Sequence, residues 1–305
     1  MSEVTELLRQ LVAIDSINPS LVPGGAGEGE IARFVASWLE HEGLEVQIDE
    51  ALPGRPNVIG IARGSGGGRS LMLNAHMDTV GVEGMERPHD PYVVDNRLYG
   101  RGAFDMKGGL AAIMLAGKEA KKLQLRGDVI VTAVMDEEYA SVGTQSIVKQ
   151  WKADAAIVTE PTGLDICIAH KGFAWFEIET IGVAAHGSLP DVGVDAIAKM
   201  GRILLGLEEL ERSLRAKSSH PLLGSGSVHA SLIEGGQEIS SYPQRCVLSL
   251  ERRTLPGEFD VKAEMQELID QAGRSDAAFK AVLRSGLTRQ PFEVSEHETI
   301  VQLLI

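Results

Sequence analysis

Residues 71–80, LMLNAHMDTV, pass from an apolar strand straight into His76, Met77 and Asp78, and this junction restricts the possible folds most. Side chains alternate along a strand, so His76 and Asp78 leave its end on one face while Met77 points away. The pattern recurs downstream. Residues 128–134, DVIVTAV, form a β-branched run that ends in Met135-Asp136-Glu137-Glu138, and the short apolar run 155–159 delivers Glu160 just before Pro161. Between these runs, residues 100–109 (GRGAFDMKGG) place Asp105 among glycine-rich turns at the start of an apolar helix. Strands that alternate with helices imply an α/β fold with a mostly parallel sheet covered by helices on both faces. In such sheets ligands bind at the C-terminal strand ends, where these acids and the histidine lie.

A single carboxylate at a strand end is ordinarily a helix cap or a solvated loop charge. Four such places in order need a common explanation. A metal cluster gathers its ligands from several strand ends, and an imidazole with a neighbouring carboxylate is a recurrent part of one. The rest of the composition fits a globular enzyme, with 44% hydrophobic and 24% charged residues in 305. A net charge of −14 argues against nucleic acid or an anionic membrane as partner. Cys167 and Cys246 have no CxxC spacing, which suggests two buried, reduced thiols in a cytoplasmic protein. The N-terminal MSEVTELLRQLVAI has the spacing of an amphipathic helix and lacks the basic start of a signal peptide. No run reaches the ~20 apolar residues that a membrane helix requires.

The first part of the chain reads as helices 3–14 and 27–42, strands 44–49, 57–63, 70–75 and 92–99, helix 106–123, strand 128–135, helix 141–150 and strand 154–159. Gly43 closes the second helix as a C-terminal cap. Near His170-Lys171-Gly172 the character changes. FAWFEIETIG alternates large apolar with polar residues, as a half-exposed antiparallel strand does. Helix 193–214, strands 226–233 and 243–251, helix 260–273 and a strand near 278–284 follow. That βαββαβ order is ferredoxin-like. The expected division is 1–170 as a metal-binding domain, 171–285 as an inserted domain, and 286–305 as the start of a return to the first.

NAHMDTV, GRGAFDMKGGLAA, MDEEYASVGT, VTEPTG and VAAHGSLPDVGVDAI, with the stretch 233–258, resemble the M20 metallopeptidase and deacylase family in sequence and in order. That family includes acetylornithine deacetylase, succinyl-diaminopimelate desuccinylase, aminoacylase and the glutamate-releasing carboxypeptidases. The resemblance implies a zinc-exopeptidase-like domain with an inserted domain that serves as lid and commonly as dimer interface. It also implies two zinc ions, replaceable by cobalt or manganese. His76 and Glu160 would hold one ion, Glu138 the other, and Asp105 would bridge them. Asp78 would orient His76, and Glu137 would be the general base. From the inserted domain, His186 would reach a metal site and stabilise the oxyanion. Arg253 would grip a substrate carboxylate with its two-pronged guanidinium. Ser240, where the family usually has asparagine, would help it, and Arg252 reads as a solvated charge on the opposite strand face.

One ligand is not found. The resemblance implies a second histidine on the Glu138 ion, far downstream, whereas the only histidine after residue 258 is His297, read as a surface residue at a helix start. The apolar end Leu303-Leu304-Ile305 leads to the expectation that the remainder of the first domain, with that histidine, is missing here. The expected activity is hydrolysis of the amide bond of an N-acyl amino acid with a free carboxylate. A carboxypeptidase or dipeptidase is the alternative, and a truncated, non-catalytic binding relative is the reading from another class. The expected partners are a small-molecule substrate and a second copy of the chain.

Overall fold

Apolar and capping residues build most elements where the sequence patterns place them. Helix α1 (Glu3–Ala13) begins at Ser2, whose hydroxyl accepts from the Thr5 N–H, and it buries Leu7, Leu11 and Val12 on one side. The computed structural model describes residues 2–217, 219–258 and 260–305. Its two compact units are Met1–Asp165 and Ile166–Ile305.

In the first unit α1 is followed by α2 (Gly29–His41), β1 (Glu45–Leu52), β2 (Arg55–Ala62), β3 (Leu71–His76), β4 (Tyr92–Val94) and β5 (Arg97–Tyr99). Then come α3 (Gly108–Leu123), β6 (Val129–Val134), α4 (Val142–Gln150) and β7 (Ala155–Val158). The central sheet has the order β1-β2-β6-β3-β7. β1 and β6 each pair antiparallel with β2, while β3 pairs parallel with β6 and β7, so β2 alone runs against the other four strands. Along β6, Val129, Val131 and Ala133 pack with Leu11, Ile31, Leu110 and Met114 of α1, α2 and α3. Ile130 and Val134 face the other way, onto Ile147 of α4. Helices therefore cover both faces, which is why the inner strands are buried at nearly every position and mostly apolar. Each such Leu or Ile side chain contributes ~1.5–3 kcal/mol by leaving water.

The expectation of one strand over 92–99 is corrected. Asp95 and Asn96 have φ of 49° and 60°, the two left-handed residues of a tight hairpin turn, so the segment folds back as β4 and β5.

The second unit contains β8 (Ala169–His170), β9 (Gly172–Ile181), α5 (Ala196–Ala216), β10 (Ser227–Gly235), β11 (Arg245–Thr254), α6 (Val261–Gly273), β12 (Ala281–Arg289), β13 (Phe292–Glu293) and α7 (Thr299–Leu304). Asp195 and Asp260 cap α5 and α6 by accepting from Ala198 and Ala263 N–H. The four-stranded sheet is antiparallel throughout, in the order β10-β11-β9-β12. It buries Ala174, Phe176 and Ile178 of β9 against Met200, Ile203, Met265 and Ile269 of the two helices. This is the βαββαβ arrangement that the strand and helix order implies. Residues 286–305 lie in this unit, with β13 paired to β8. His297 is exposed just ahead of α7.

Two smaller expectations fail. Cys246 is buried, but Cys167 is exposed on the surface of a loop. Arg252 is the opposite of a solvated charge: it is 1% exposed and bonded to Glu258 and Glu264. The alternation of β11 turns it into the helix-covered face and leaves Arg253 on the open one. Among the described residues, no helix is long and apolar enough to cross a membrane.

Candidate metal centre

The parallel run β6-β3-β7 brings three strand ends together. His76 is the last residue of β3 and pairs with Val134, the last of β6; two residues past β7 lies Glu160. Asp105 arrives from an irregular turn, 103–107, in front of α3. Gly102 opens the turn at φ 77°, where a Cβ would fall 2.8 Å from the Thr79 side chain. Gly109 closes it, and a Cβ there would meet the Thr159 carbonyl oxygen at 2.4 Å. The glycines of GRGAFDMKGG thus allow the Asp105 turn to approach the strand that carries Glu160. Buried Lys107 ties the turn down by donating to the Ile14 carbonyl at 2.8 Å. The Asp105–Met106 peptide is cis.

The imidazole of His76 is the hub. Its Nδ1 faces the Asp78 carbonyl oxygen at 2.9 Å, which directs Nε2 outward. Nε2 lies 3.1 Å from Asp105 Oδ1, 3.9 Å from Glu137 Oε2 and 3.9 Å from Glu160 Oε1. Two trios have donor atoms within 4.8 Å of one another: His76, Glu137 and Glu160, and His76, Asp105 and Glu138. Asp78 sits behind them, fully buried. Its carboxylate is 3.5 Å from His76 Nδ1 and accepts the backbone N–H groups of Glu137 and Glu138 at 3.0 and 3.1 Å. It therefore holds the acidic pair as well as the histidine.

The electrostatics show surplus negative charge. Burial alone would lower the pKa of His76, but hydrogen bonds to Asp105 and Asp78 and the nearby carboxylates push it up to about 11. Burial raises Glu138 and Glu160 to about 7; His76 opposes this, and Asp105, Glu137 and the two residues' mutual repulsion add to it. Protons occupy positions where a cation would relieve the same field. An imidazole with one free nitrogen and several carboxylates is a donor set suited to zinc and similar divalent ions. The residues present fit a metal pair.

Three of the foreseen residues belong to the second unit. His186 is exposed, and its Nδ1 accepts from the Ser188 N–H at 3.3 Å and meets Ser188 Oγ at 2.8 Å. Ser240 lies beside it, its carbonyl accepting from Gly187 N–H at 2.7 Å. Arg253 is on the open face of the sheet, stacked 5.3 Å from the Phe173 ring and bonded to Glu251 at 2.7 Å. Sequence reasoning missed the polar residues beneath the acidic pair, Asn18, Glu28, Arg55, Asn57 and Asp136. The usable signal was Arg55-Pro56-Asn57, polar positions two apart opening an otherwise apolar strand.

Comparison with known proteins gives one answer. The curated relatives include a deformylase of N-formyl-4-amino-5-aminomethyl-2-methylpyrimidine from Bacillus subtilis, 31% identical over 90% of this chain and 68% of its own length. An acetylornithine deacetylase from Photorhabdus laumondii is 32% identical over 83% of this chain and 68% of its own. Among solved structures, a tripeptidase from Staphylococcus aureus superposes with a TM-score of 0.80 at 21% identity, covering 99% of this chain and 79% of that one. An M20 family metallo-carboxypeptidase from Sulfolobus solfataricus gives 0.74 at 19% identity, covering 99% and 82%. The sequence model of peptidase family M20/M25/M40 matches residues 72–304, from β3 through the second unit, and the chain belongs to that family.

Proposed function

We propose that the protein is a divalent-metal hydrolase that cleaves the amide bond of an N-acyl amino acid or small peptide with a free carboxylate. The observation that carries this reading is the convergence of His76, Asp105, Glu137, Glu138 and Glu160 at three adjoining strand ends and one turn. His76 and Glu160 would hold one zinc ion, Glu138 the other, and Asp105 would serve both. The bound pair supplies Lewis-acid polarisation of the amide carbonyl and a water acidic enough to ionise near neutral pH. Glu137 takes that water's proton and delivers it to the leaving nitrogen. Asp78 keeps Glu137 and Glu138 divergent through their backbone N–H groups. His186 donates to the developing oxyanion from the inserted domain, which acts as a lid and pairs with a second copy. The Glu138 ion would also take an imidazole; among the described residues of the first unit, His41 and His89 stand beside Glu42 and Asp15, outside both trios. A reducing, cytoplasmic setting belongs to this reading, supported by two unpaired cysteines.

A second reading concerns the substrate. Arg253 is the residue meant to grip a carboxylate, yet Glu251 and Phe173 already engage it, and Ser240 offers less than an asparagine amide. Both features favour an N-acyl or N-formyl amine without a carboxylate, the kind of substrate named for the deformylase relative. The test is a panel of N-acetyl and N-succinyl amino acids set against N-formyl and N-acetyl aminomethyl heteroaromatics, with chelator and with added zinc or cobalt. Metal-dependent turnover of the amino acids supports the first reading. Turnover confined to the amines supports the second. Silence across the panel with metal bound supports a non-catalytic binding protein.

A further inference from the structure

The acidic pair at the end of β6 rests on a buried polar network that supplies no metal ligand. β2 runs antiparallel to β6, with Val58 opposite Ala133, so the start of β2 lies beside the point where β6 gives way to Met135–Glu138. From there Arg55 and Asn57, two apart on one strand face, reach into the loop. Asn57 Oδ1 accepts from Met135 N–H at 3.0 Å and its amide donates to Gly143 O at 3.1 Å, which staples both ends of the turn. Arg55 grips Glu28 with two prongs, Nε to Oε2 at 2.7 Å and Nη2 to Oε1 at 2.6 Å. The same Nη2 reaches Asp136 at 3.2 Å and Asn18 Oδ1 at 3.1 Å, and Nη1 reaches Ser20 at 2.8 Å. Glu28 in turn accepts the Asp136 N–H at 3.1 Å. The Asn18 amide bridges Asp136 and Asp78 at 3.1 and 2.7 Å, and Asp78 accepts from Glu137 and Glu138.

The central side chains are buried: Asn18, Glu28, Asp78 and Asp136 are at most 1% exposed and Arg55 is 8% exposed, with Ser20 at the surface end. Asp136, immediately before Glu137, has φ 63°, a left-handed conformation that is uncommon outside glycine and persists only where the surroundings enforce it. Two buried carboxylates would repel each other and swell the turn without a cation between them. A guanidinium fits because its fixed fork satisfies five acceptors at once, which a lysine ammonium does not.

We propose that Arg55 is a positioning residue for hydrolysis: by clamping Glu28, Asp136 and Asn18 it fixes the backbone that aims Glu137 at the reacting water. The proposal rests on the reading of Glu137 as general base. Arg55 touches neither metal ligand nor substrate; it acts through the Asp136 backbone and the Asn18–Asp78 link.

The test uses Arg55→Lys, which keeps the charge and loses the fork, alone and combined with Glu137→Gln, with zinc content and thermal melting recorded for each. Arg55→Lys is expected to keep its metal and lower kcat ~10- to 100-fold, the cost of a sub-ångström to 1 Å misplacement, with KM within about twofold. In the Glu137→Gln background the same substitution should produce no further fall, because its effect passes through that carboxylate. Wild-type kcat in Arg55→Lys alongside a dead Glu137→Gln overturns the positioning role and leaves the base reading intact. Full turnover in Glu137→Gln overturns the base reading and the positioning role with it. An additive loss in the double variant shows that Arg55 acts by another route and also overturns the proposal. Should Arg55→Lys fail to fold, Asn18→Ala breaks the link to Asp78 while sparing the Arg55–Glu28 pair, and the same outcomes apply.

Discussion

Two charge clusters, one in each unit, are balanced in opposite ways. In the second, Arg252 is enclosed with Glu258 and Glu264, which its guanidinium contacts at 2.9–3.2 Å; the cation and its partners are complete within the fold. In the first, five carboxylates, those of Asp78, Asp105, Glu137, Glu138 and Glu160, face one imidazole at the strand ends. A charge cluster that is matched internally serves the fold, whereas a cluster dominated by one sign around a buried imidazole needs something from outside. The difference separates a structural cluster from a binding centre without reference to motif. It also explains why pKa values are strongly perturbed at the first cluster.

The comparison can be broken most forcefully at Glu137. Glu137→Gln should cut turnover by ~10²–10⁴ while leaving metal content unchanged. Loss of zinc in that variant would show that Glu137 is a ligand, as its place in a trio with His76 and Glu160 would permit. Metal removal should act next. Burial and neighbouring carboxylates raise Glu138 and Glu160 from 4.5 to about 7, and hydrogen bonding raises His76 from 6.5 to about 11 despite burial. Between pH 4.5 and 7 these groups hold more protons in the folded, metal-free protein than in the unfolded chain, so stability should fall as pH rises through that window. Above 7 the further loss at His76 is offset by Lys107, which burial lowers from 10.5 to about 7. Zinc replaces those protons and should remove the decline. Melting temperatures of the chelated and zinc-loaded protein at pH 5.5 and 8 check this; parallel curves with and without zinc would contradict it.

Arg252→Met offers the converse test, since it removes the cation from the matched cluster and leaves two carboxylates behind. With Glu258 and Glu264 partly solvated, the cost should be about 1–3 kcal/mol in denaturant unfolding. Metal content should not change. Least is expected from Arg284→Ala on the open sheet face, where solvent screens the bridges to Glu177 and Glu179 and the melting temperature should barely move.

Much of this was legible in the sequence because it depends on local apolar pattern. Continuous apolar and β-branched runs located β3, β6 and β7 to within a residue or two, and the acids just past their ends followed from chain order alone. The 92–99 hairpin was not legible from apolar pattern; it depends on two left-handed residues, and Asp95-Asn96 was the available signal. Arg252 and Arg253 exchanged environments because a strand's buried face depends on which side its helices pack, which adjacent like charges do not encode. The Arg55 network stayed hidden for a different reason. Asn18, Glu28, Arg55 and Asp136 come from four separate segments and meet only through the β2–β6 pairing.

The measurement closest to the central claim is a calorimetric zinc titration of chelator-stripped protein at neutral pH, repeated on Asp105→Ala. Saturable uptake with proton release into the buffer, lost or strongly weakened in the variant, is the predicted result. Absence of uptake, or uptake unchanged by Asp105→Ala, would contradict the assignment of these strand ends as a metal centre.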